Sequence, residues 1–191
     1  MENAPSGQQD APDEATNTLV SRLREGDSDA ASMLDEQYRE PLLRFCWGYL
    51  RSMDEAEDAL QNIWYKVLTA SHIPARFRPW VYRIARNESI NLARKRAKQR
   101  GVCELPAASQ IDAYLTGQLT RIVKGEAKSH LEELVAKLSD AQREALRLRY
   151  VEGLSRSEIA EVLDTPESVV KSRLFEGLKR LRDHTSLMEG L

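Results

Sequence analysis

The chain has 191 residues, 41% hydrophobic and 6% aromatic, with a formal net charge of −2. That length suits one or two small domains, and the near-neutral balance argues against a protein that coats nucleic acid indiscriminately. No apolar run is long enough to cross a bilayer and no signal-peptide pattern opens the chain, so a cytoplasmic protein without membrane insertion is expected. Cys46 and Cys103, like His72, His130 and His184, are scattered without metal-ligand spacing, so free thiols and no metal or cofactor are expected.

Residues 1–15 are polar and rich in Pro, Gln and acid, which predicts a disordered tail. A helix follows with Leu19, Val20 and Leu23 inward and Gly26 as its left-handed cap. Asp27 or Ser28 opens the next helix, carrying Ala31, Leu34 and Tyr38, with Pro41 expected to kink or restart it. Leu42, Leu43, Phe45, Cys46, Trp47, Tyr49 and Leu50 form the densest apolar cluster and are expected to be core. Asp54 starts a helix whose first turn is acidic, as the helix dipole favours. Its expected buried face is Leu60, Ile63, Trp64, Val67 and Leu68. Asp58, Gln61, Asn62 and Tyr65 form a polar ridge on it, which periodicity reads equally as solvated surface or as a docking face.

From Arg76 to Arg100 there are nine Arg or Lys and one acid, Glu88. Trp80, Val81, Ile84 and Ala85 keep helical spacing, then the pattern stumbles at Asn87-Glu88-Ser89, predicting a short polar loop before a basic helix. Cations interleaved with Trp80, Tyr82 and Asn87 suit single-stranded nucleic acid, where cations hold the backbone and aromatic faces stack on bases. A core tryptophan beside a solvated basic helix is the other reading of the same residues. Residues 101–118 hold Gly101, Pro106 and Gly117 and read as a linker, so domains are expected over 16–100 and 119–191.

In the second domain Leu131, Leu134, Val135 and Leu138 mark one helix. Ser139 with Gln142, and Ser155 with Glu158, have capping-box spacing. Ile159, Ala160 and Leu163 give the Ser155 helix an apolar face, and Asp164-Thr165-Pro166 ends it. A second helix from about Glu167 to Arg182 turns Val170, Leu174, Leu178 and Leu181 inward and Ser168, Lys171, Ser172 and Phe175 outward. Short helix, turn and longer cationic helix form the helix-turn-helix pattern, although an ordinary helical hairpin has the same periodicity. The expected fold class is all-α, two small helical domains on a flexible linker, the C-terminal one a helix-turn-helix.

Three stretches in this order, DEAEDALQNIWYKVL (54–68), FRPWVYRIARNESINLARKR (77–96) and the 138–182 segment, resemble the bacterial RNA polymerase sigma factors of the small, two-domain, extracytoplasmic-function type. The resemblance implies a dissociable, non-enzymatic specificity subunit that is monomeric when free. It would contact the polymerase β′ clamp and β flap, bind promoter DNA, and answer to an anti-sigma factor. It assigns Asp58, Gln61, Asn62 and Tyr65 to the β′ clamp, although the family more often has Glu at the position of Asn62. It assigns Trp80, Tyr82, Arg83, Arg86, Asn87, Asn91, Arg94, Lys95 and Arg96 to the minus-ten element, with Tyr82, Arg86 and Asn87 around a flipped base. It assigns Thr165, Ser168, Lys171, Ser172, Arg173 and Phe175 to the minus-thirty-five element. Ser168 and Val169 depart from a common Gly and Thr of the family. A stand-alone helix-turn-helix regulator and a pure protein-interaction module are the competing readings. The first predicts tight promoter binding without polymerase, the second no DNA contact through Lys171 and Arg173.

Overall fold

The structure is a computed structural model that describes residues 10–99, 101, 115, 119 and 133–188. Among the described residues the secondary structure is helical throughout: α1 (Asp10–Arg24), α2 (Ser28–Leu50), α3 (Met53–Leu68), α4 (Phe77–Gln99), α5 (Asp140–Tyr150), α6 (Arg156–Leu163) and α7 (Glu167–Met188). A further helical turn covers 133–136. Helices α2, α3 and α4 pack on one another, with α1 against α2 and α4. Helix α5 packs on α7, and α6 packs on both α7 and α4, so the C-terminal half sits directly on the N-terminal one.

Local chemistry sets most boundaries. Gly26 takes φ +87° after α1, and the Asp27 side chain accepts from the backbone N–H groups of Asp29 and Ala30 at the start of α2. Its bond to Arg22 holds the Asp27 carboxyl below the usual carboxylate range. Both expected capping boxes are present, Ser139 with Gln142 and Ser155 with Glu158. Asp164 ends α6 in the left-handed region at φ 48°, which Asp tolerates better than most residues, and Pro166 precedes α7. The buried apolar side chains form one core. Its N-terminal part contains Leu34, Tyr38, Leu42, Phe45, Leu50, Ile63, Val67, Phe77 and Val81, and its C-terminal part Leu138, Leu146, Leu148, Leu154, Ile159, Val162, Val170 and Leu181.

Several expectations need correction. Helix α1 begins at Asp10, inside the span read as tail; Pro12 falls in its first turn, where a missing N–H breaks no bond. Pro41 does not restart α2, which runs unbroken over 23 residues, because Leu34, Tyr38, Leu42 and Phe45, buried on both sides of it, hold the helix in place. Helix α4 is likewise continuous through Asn87-Glu88-Ser89. Glu88 and Ser89 are polar yet buried, and the exposed Lys66 of α3 pairs with Glu88, so the broken periodicity marks a buried carboxylate with a surface partner, not a loop. Leu68 is 57% exposed rather than buried. Ser52 caps α3, one residue ahead of its start at Met53. Leu115, inside the span read as linker, is helical and buried. Helix α7 extends past Arg182 to Met188. Residues 1–9, Cys103, Leu131 and most of 101–118 lie outside the described residues.

Candidate nucleic-acid and partner interfaces

Helices α2 and α3 flank an open groove of about 750 Å³, lined among others by Asp35, Leu43, Leu60, Gln61, Trp64 and Tyr65. Tyr65 is 69% exposed. The Trp64 indole Nε1 and Asp35 Oδ1 are buried there without a hydrogen-bond partner among the described residues. The four residues expected as a ridge on α3 are all exposed. Gln61 and Tyr65 line this groove, while Asp58 and Asn62 are exposed but do not line it. The lining is mixed, with Leu43, Leu60, Trp64 and Leu68 beside Asp35, Arg39, Glu57 and Gln61.

Helix α4 presents three distinct sets of side chains. Arg83, Asn87, Asn91, Arg94 and Lys95 are exposed and, at spacings of three and four, share one outward ridge. Half-buried Trp80 joins Pro79, Arg83, Arg76 and Glu161 around a smaller hollow of about 290 Å³. Arg96 turns inward, donating to the Leu50 carbonyl and the Glu55 carboxylate, each at 2.7 Å. Arg78, Tyr82 and Arg86, four residues apart, form the third stripe and face the C-terminal half.

At that junction the Arg86 Nε donates to Glu144 Oε1 at 2.7 Å and its Nη2 to Oε2 at 3.1 Å. The Tyr49 hydroxyl also donates to Glu144 Oε1, at 2.5 Å. The Tyr82 hydroxyl donates to Glu152 Oε2 at 3.1 Å, and the Arg78 Nη2 donates to the Glu152 carbonyl at 2.6 Å. Arg147 of α5 reaches into α2. Its Nη2 donates to the Phe45 carbonyl at 2.7 Å, and its guanidinium carbon lies 4.9 Å and 5.1 Å from the ring centroids of Phe45 and Tyr49. Gly48 makes room for it, since a Cβ there would overlap the Arg147 guanidinium. Burial, reinforced by the facing carboxylates Glu144 and Glu152, pushes the Tyr49 and Tyr82 hydroxyls well above the ordinary tyrosine range. Burial works against the Arg86 charge, but the bond to Glu144 outweighs it and its pKa lies above the ordinary value.

On α7 the side chains of Ser168, Lys171 and Ser172 are exposed, and Phe175 is 67% exposed. Arg173 and Thr165 are half-buried. The Ser172 hydroxyl donates back to the Ser168 carbonyl at 3.2 Å. Ser168, Lys171, Ser172 and Phe175 thus lie exposed together on the outward face of the first turns of α7.

The family model for Sigma-70 region 2 matches residues 34–99, and that for Sigma-70 region 4 matches residues 129–181. The chain is 30% identical over 173 residues to the ECF RNA polymerase sigma factor SigW of Bacillus subtilis, covering 85% of this chain and 92% of that protein. The chain belongs to the extracytoplasmic-function RNA polymerase sigma factors. This sigma factor is also 29% identical to the sigma-E factor of Escherichia coli K12, over 82% of this chain and 87% of that one. In fold it resembles CnrH, solved in complex with the cytosolic domain of CnrY, with a TM-score of 0.63, 18% identity, and 92% of this chain and 98% of that one covered. It also resembles RpoE of Bartonella quintana, solved with the anti-sigma factor NepR, with a TM-score of 0.55, 22% identity, and coverage of 80% and 94%. A sigma factor is a non-enzymatic subunit that supplies RNA polymerase with promoter specificity, so the polymerase is a partner. No described helix is long and apolar enough to cross a membrane.

The sequence reading missed Gly48, Arg78, Glu144, Arg147 and Glu152 in this sigma factor. An isolated Gly inside a helical pattern was the one available signal. The other four are charged residues that periodicity assigns to solvent.

Proposed function

We propose that this sigma factor uses three surfaces in sequence. The α2/α3 groove, with Gln61 and Tyr65 and with Asp58 and Asn62 beside it, docks on the β′ clamp. The outward ridge of α4, Arg83, Asn87, Asn91, Arg94 and Lys95 with Trp80 at its start, takes the displaced strand of the minus-ten element. Cations hold its phosphates, and the amides of Asn87 and Asn91 read base edges. The outward face of α7, led by Lys171, Ser172 and Phe175, enters the major groove of the minus-thirty-five element while the same half rests on the β flap. Val169 cannot donate to phosphate, so Ser168 and Thr165 supply the hydroxyls at the front of α7. The protein works in the cytoplasm as a monomer until it meets polymerase, carries no catalytic centre of its own, and is restrained by an anti-sigma factor. The complex of RpoE, a similar fold, with the anti-sigma factor NepR supports that last partner.

One observation carries the reading: an open groove of mixed apolar and charged lining, an exposed cationic ridge and an outward helix-turn-helix face lie on one chain, largely within the stretches matched by regions 2 and 4. The domain limits follow, with 16–100 holding the first two surfaces and 119–191 the third. Transcription in vitro with purified core polymerase on a genomic library tests the proposal. Discrete start sites that depend on this chain are expected. Tight binding to a specific duplex without polymerase, with no start-site selection, would overturn it.

A further inference from the structure

Of the four glutamates on α6 and α7, three are paired: Glu158 with Arg78, Glu161 with Arg76 and Glu167 with Arg156. The fourth, Glu176, is exposed and has no ion pair among the described residues. It follows Ser172 by about one helical turn, as Ser172 follows Ser168, and all three are exposed. Glu176 therefore continues the row of side chains proposed to enter the major groove.

The carboxylate is also aimed. Gln142, buried on α5, donates from Nε2 to Glu176 Oε2 at 3.2 Å. The Gln142 side-chain oxygen accepts from the Ser139 backbone N–H at 3.2 Å and from Arg180 Nη1 at 3.3 Å. Two donors on that oxygen fix which way the amide faces, so its NH2 group points at Glu176. Gly177 lets the two helices come this close, since a Cβ there would sit 3.0 Å from Leu146 Cδ1 and 3.6 Å from Gln142 Cβ. A long side chain held in place before binding loses less rotamer freedom when it binds.

A carboxylate in the major groove has few partners. Phosphates repel it, as do the N7 and O6 acceptors of guanine and the O4 of thymine. The base donors on that edge are the amino groups of cytosine and adenine. Both lie beside an acceptor of the paired base, but adenine adds its own N7 on the other side, where cytosine has a C–H. The second carboxylate oxygen is thus repelled at adenine and tolerated at cytosine.

We propose that Glu176 is a specificity-determining residue that accepts a hydrogen bond from the N4 amino group of one cytosine in the minus-thirty-five element, and that Gln142 is the positioning residue for its carboxylate. This rests on the function proposed above and adds a base preference to the α7 surface.

The test is selection from a promoter pool with a randomised minus-thirty-five region, transcribed by holoenzyme reconstituted with the full-length chain. The wild type should enrich one C·G pair, in one orientation, about tenfold over the other three pairs, in the range for one mismatched pair. Glu176→Gln should shift that position toward adenine, because a Gln amide pairs with N6 and N7 together. Glu176→Ala should lose discrimination there and keep the rest of the selected element. Gln142→Glu retains capping-box chemistry but sets a carboxylate against Glu176, so it should weaken the cytosine preference alone. Circular dichroism melts confirm that the variants are folded, and the exposed Glu176 variants decide the matter should Gln142→Glu not fold. Selection of the same element, cytosine included, by Glu176→Ala would overturn the reading, as would an equal loss at every position. An unchanged preference in Gln142→Glu would overturn the positioning role. A wild-type chain that enriches no element at all would instead overturn the proposed function.

Discussion

Arg86 of α4 and Glu144 of α5, 58 residues apart in sequence, meet in a two-point contact of 2.7 Å and 3.1 Å, and the Tyr49 hydroxyl closes on the same carboxylate. Glu144 is thus the acceptor for two donors from the other half of the molecule. Replacing it by Ala strands both. The expected cost is about 2–3 kcal/mol of stability, in the range for a lost charge-assisted bond. In a double-mutant cycle, Arg86→Ala should cost little once Glu144 is gone, with a coupling of at least ~1 kcal/mol measured by urea denaturation. Additive losses would mean that the two side chains do not support one another.

Cys46 gives a pH-dependent handle on the core. Burial pushes its thiol up from 9.0 to about 11. In the unfolded chain the thiol loses its proton near pH 9, while in the folded chain it keeps the proton until about pH 11. Over that window the unfolded state binds fewer protons, so stability is complete below pH 9 and falls as pH rises, levelling above 11. The thiol should contribute about 2–3 kcal/mol to that decline. Cys46→Ala should be less stable at pH 7, from the lost side-chain packing, but should decline less steeply between pH 9 and 11. Chemical denaturation of both proteins across this range checks the prediction, and parallel declines would contradict it.

What was legible in the sequence, and what was not, divides along one physical line. Caps and breakers act locally. Ser139, Ser155, Gly26 and Pro166 therefore marked their helix ends correctly, and the helix-turn-helix with its inward Val170, Leu174 and Leu181 followed from spacing. Buried polar residues defeated the same method. Glu88 and Ser89 broke the apolar period of α4 and were read as a loop, although Lys66, 22 residues earlier, reaches from the surface to pair with the buried Glu88. Arg96 looked like a phosphate contact and is engaged with Glu55 and the Leu50 carbonyl. Tyr82 and Arg86 looked like one group with Asn87, yet the helix turns Asn87 outward and the other two toward Glu152 and Glu144. Periodicity can say that a charge lies off the apolar face, but a partner distant in sequence decides whether that charge is solvated.

The α2/α3 groove makes a prediction about polymerase affinity separate from stability. Tyr65 is largely exposed and Gln61 is exposed beside it. Exposed positions away from caps and pairs usually change stability by no more than about 0.5 kcal/mol. Aromatic residues in the centre of a contact often contribute about 2 kcal/mol or more to binding. Tyr65→Ala should therefore weaken core-polymerase binding by at least ~tenfold, with an unchanged melting temperature. Undiminished binding would move the docking contact off this groove.

The two DNA surfaces should respond differently to salt and to substitution. Lys171 is exposed on the outward face of α7, with no ion pair among the described residues. In holoenzyme, Lys171→Ala should weaken the closed complex through the upstream element and lower the slope of log affinity against log salt by about 1, the expectation for one lost phosphate contact. Asn87 carries no charge and stands on the α4 ridge. Asn87→Ala should leave that salt slope unchanged and impair promoter opening more than closed-complex binding, because its amide meets a base edge only after the strands part. Footprinting of the upstream element and permanganate reactivity of the opened thymines read the two steps separately. The assignment predicts that Lys171→Ala alters the first and Asn87→Ala the second. If each variant altered both steps to the same degree, α4 and α7 would not be reading different forms of the promoter.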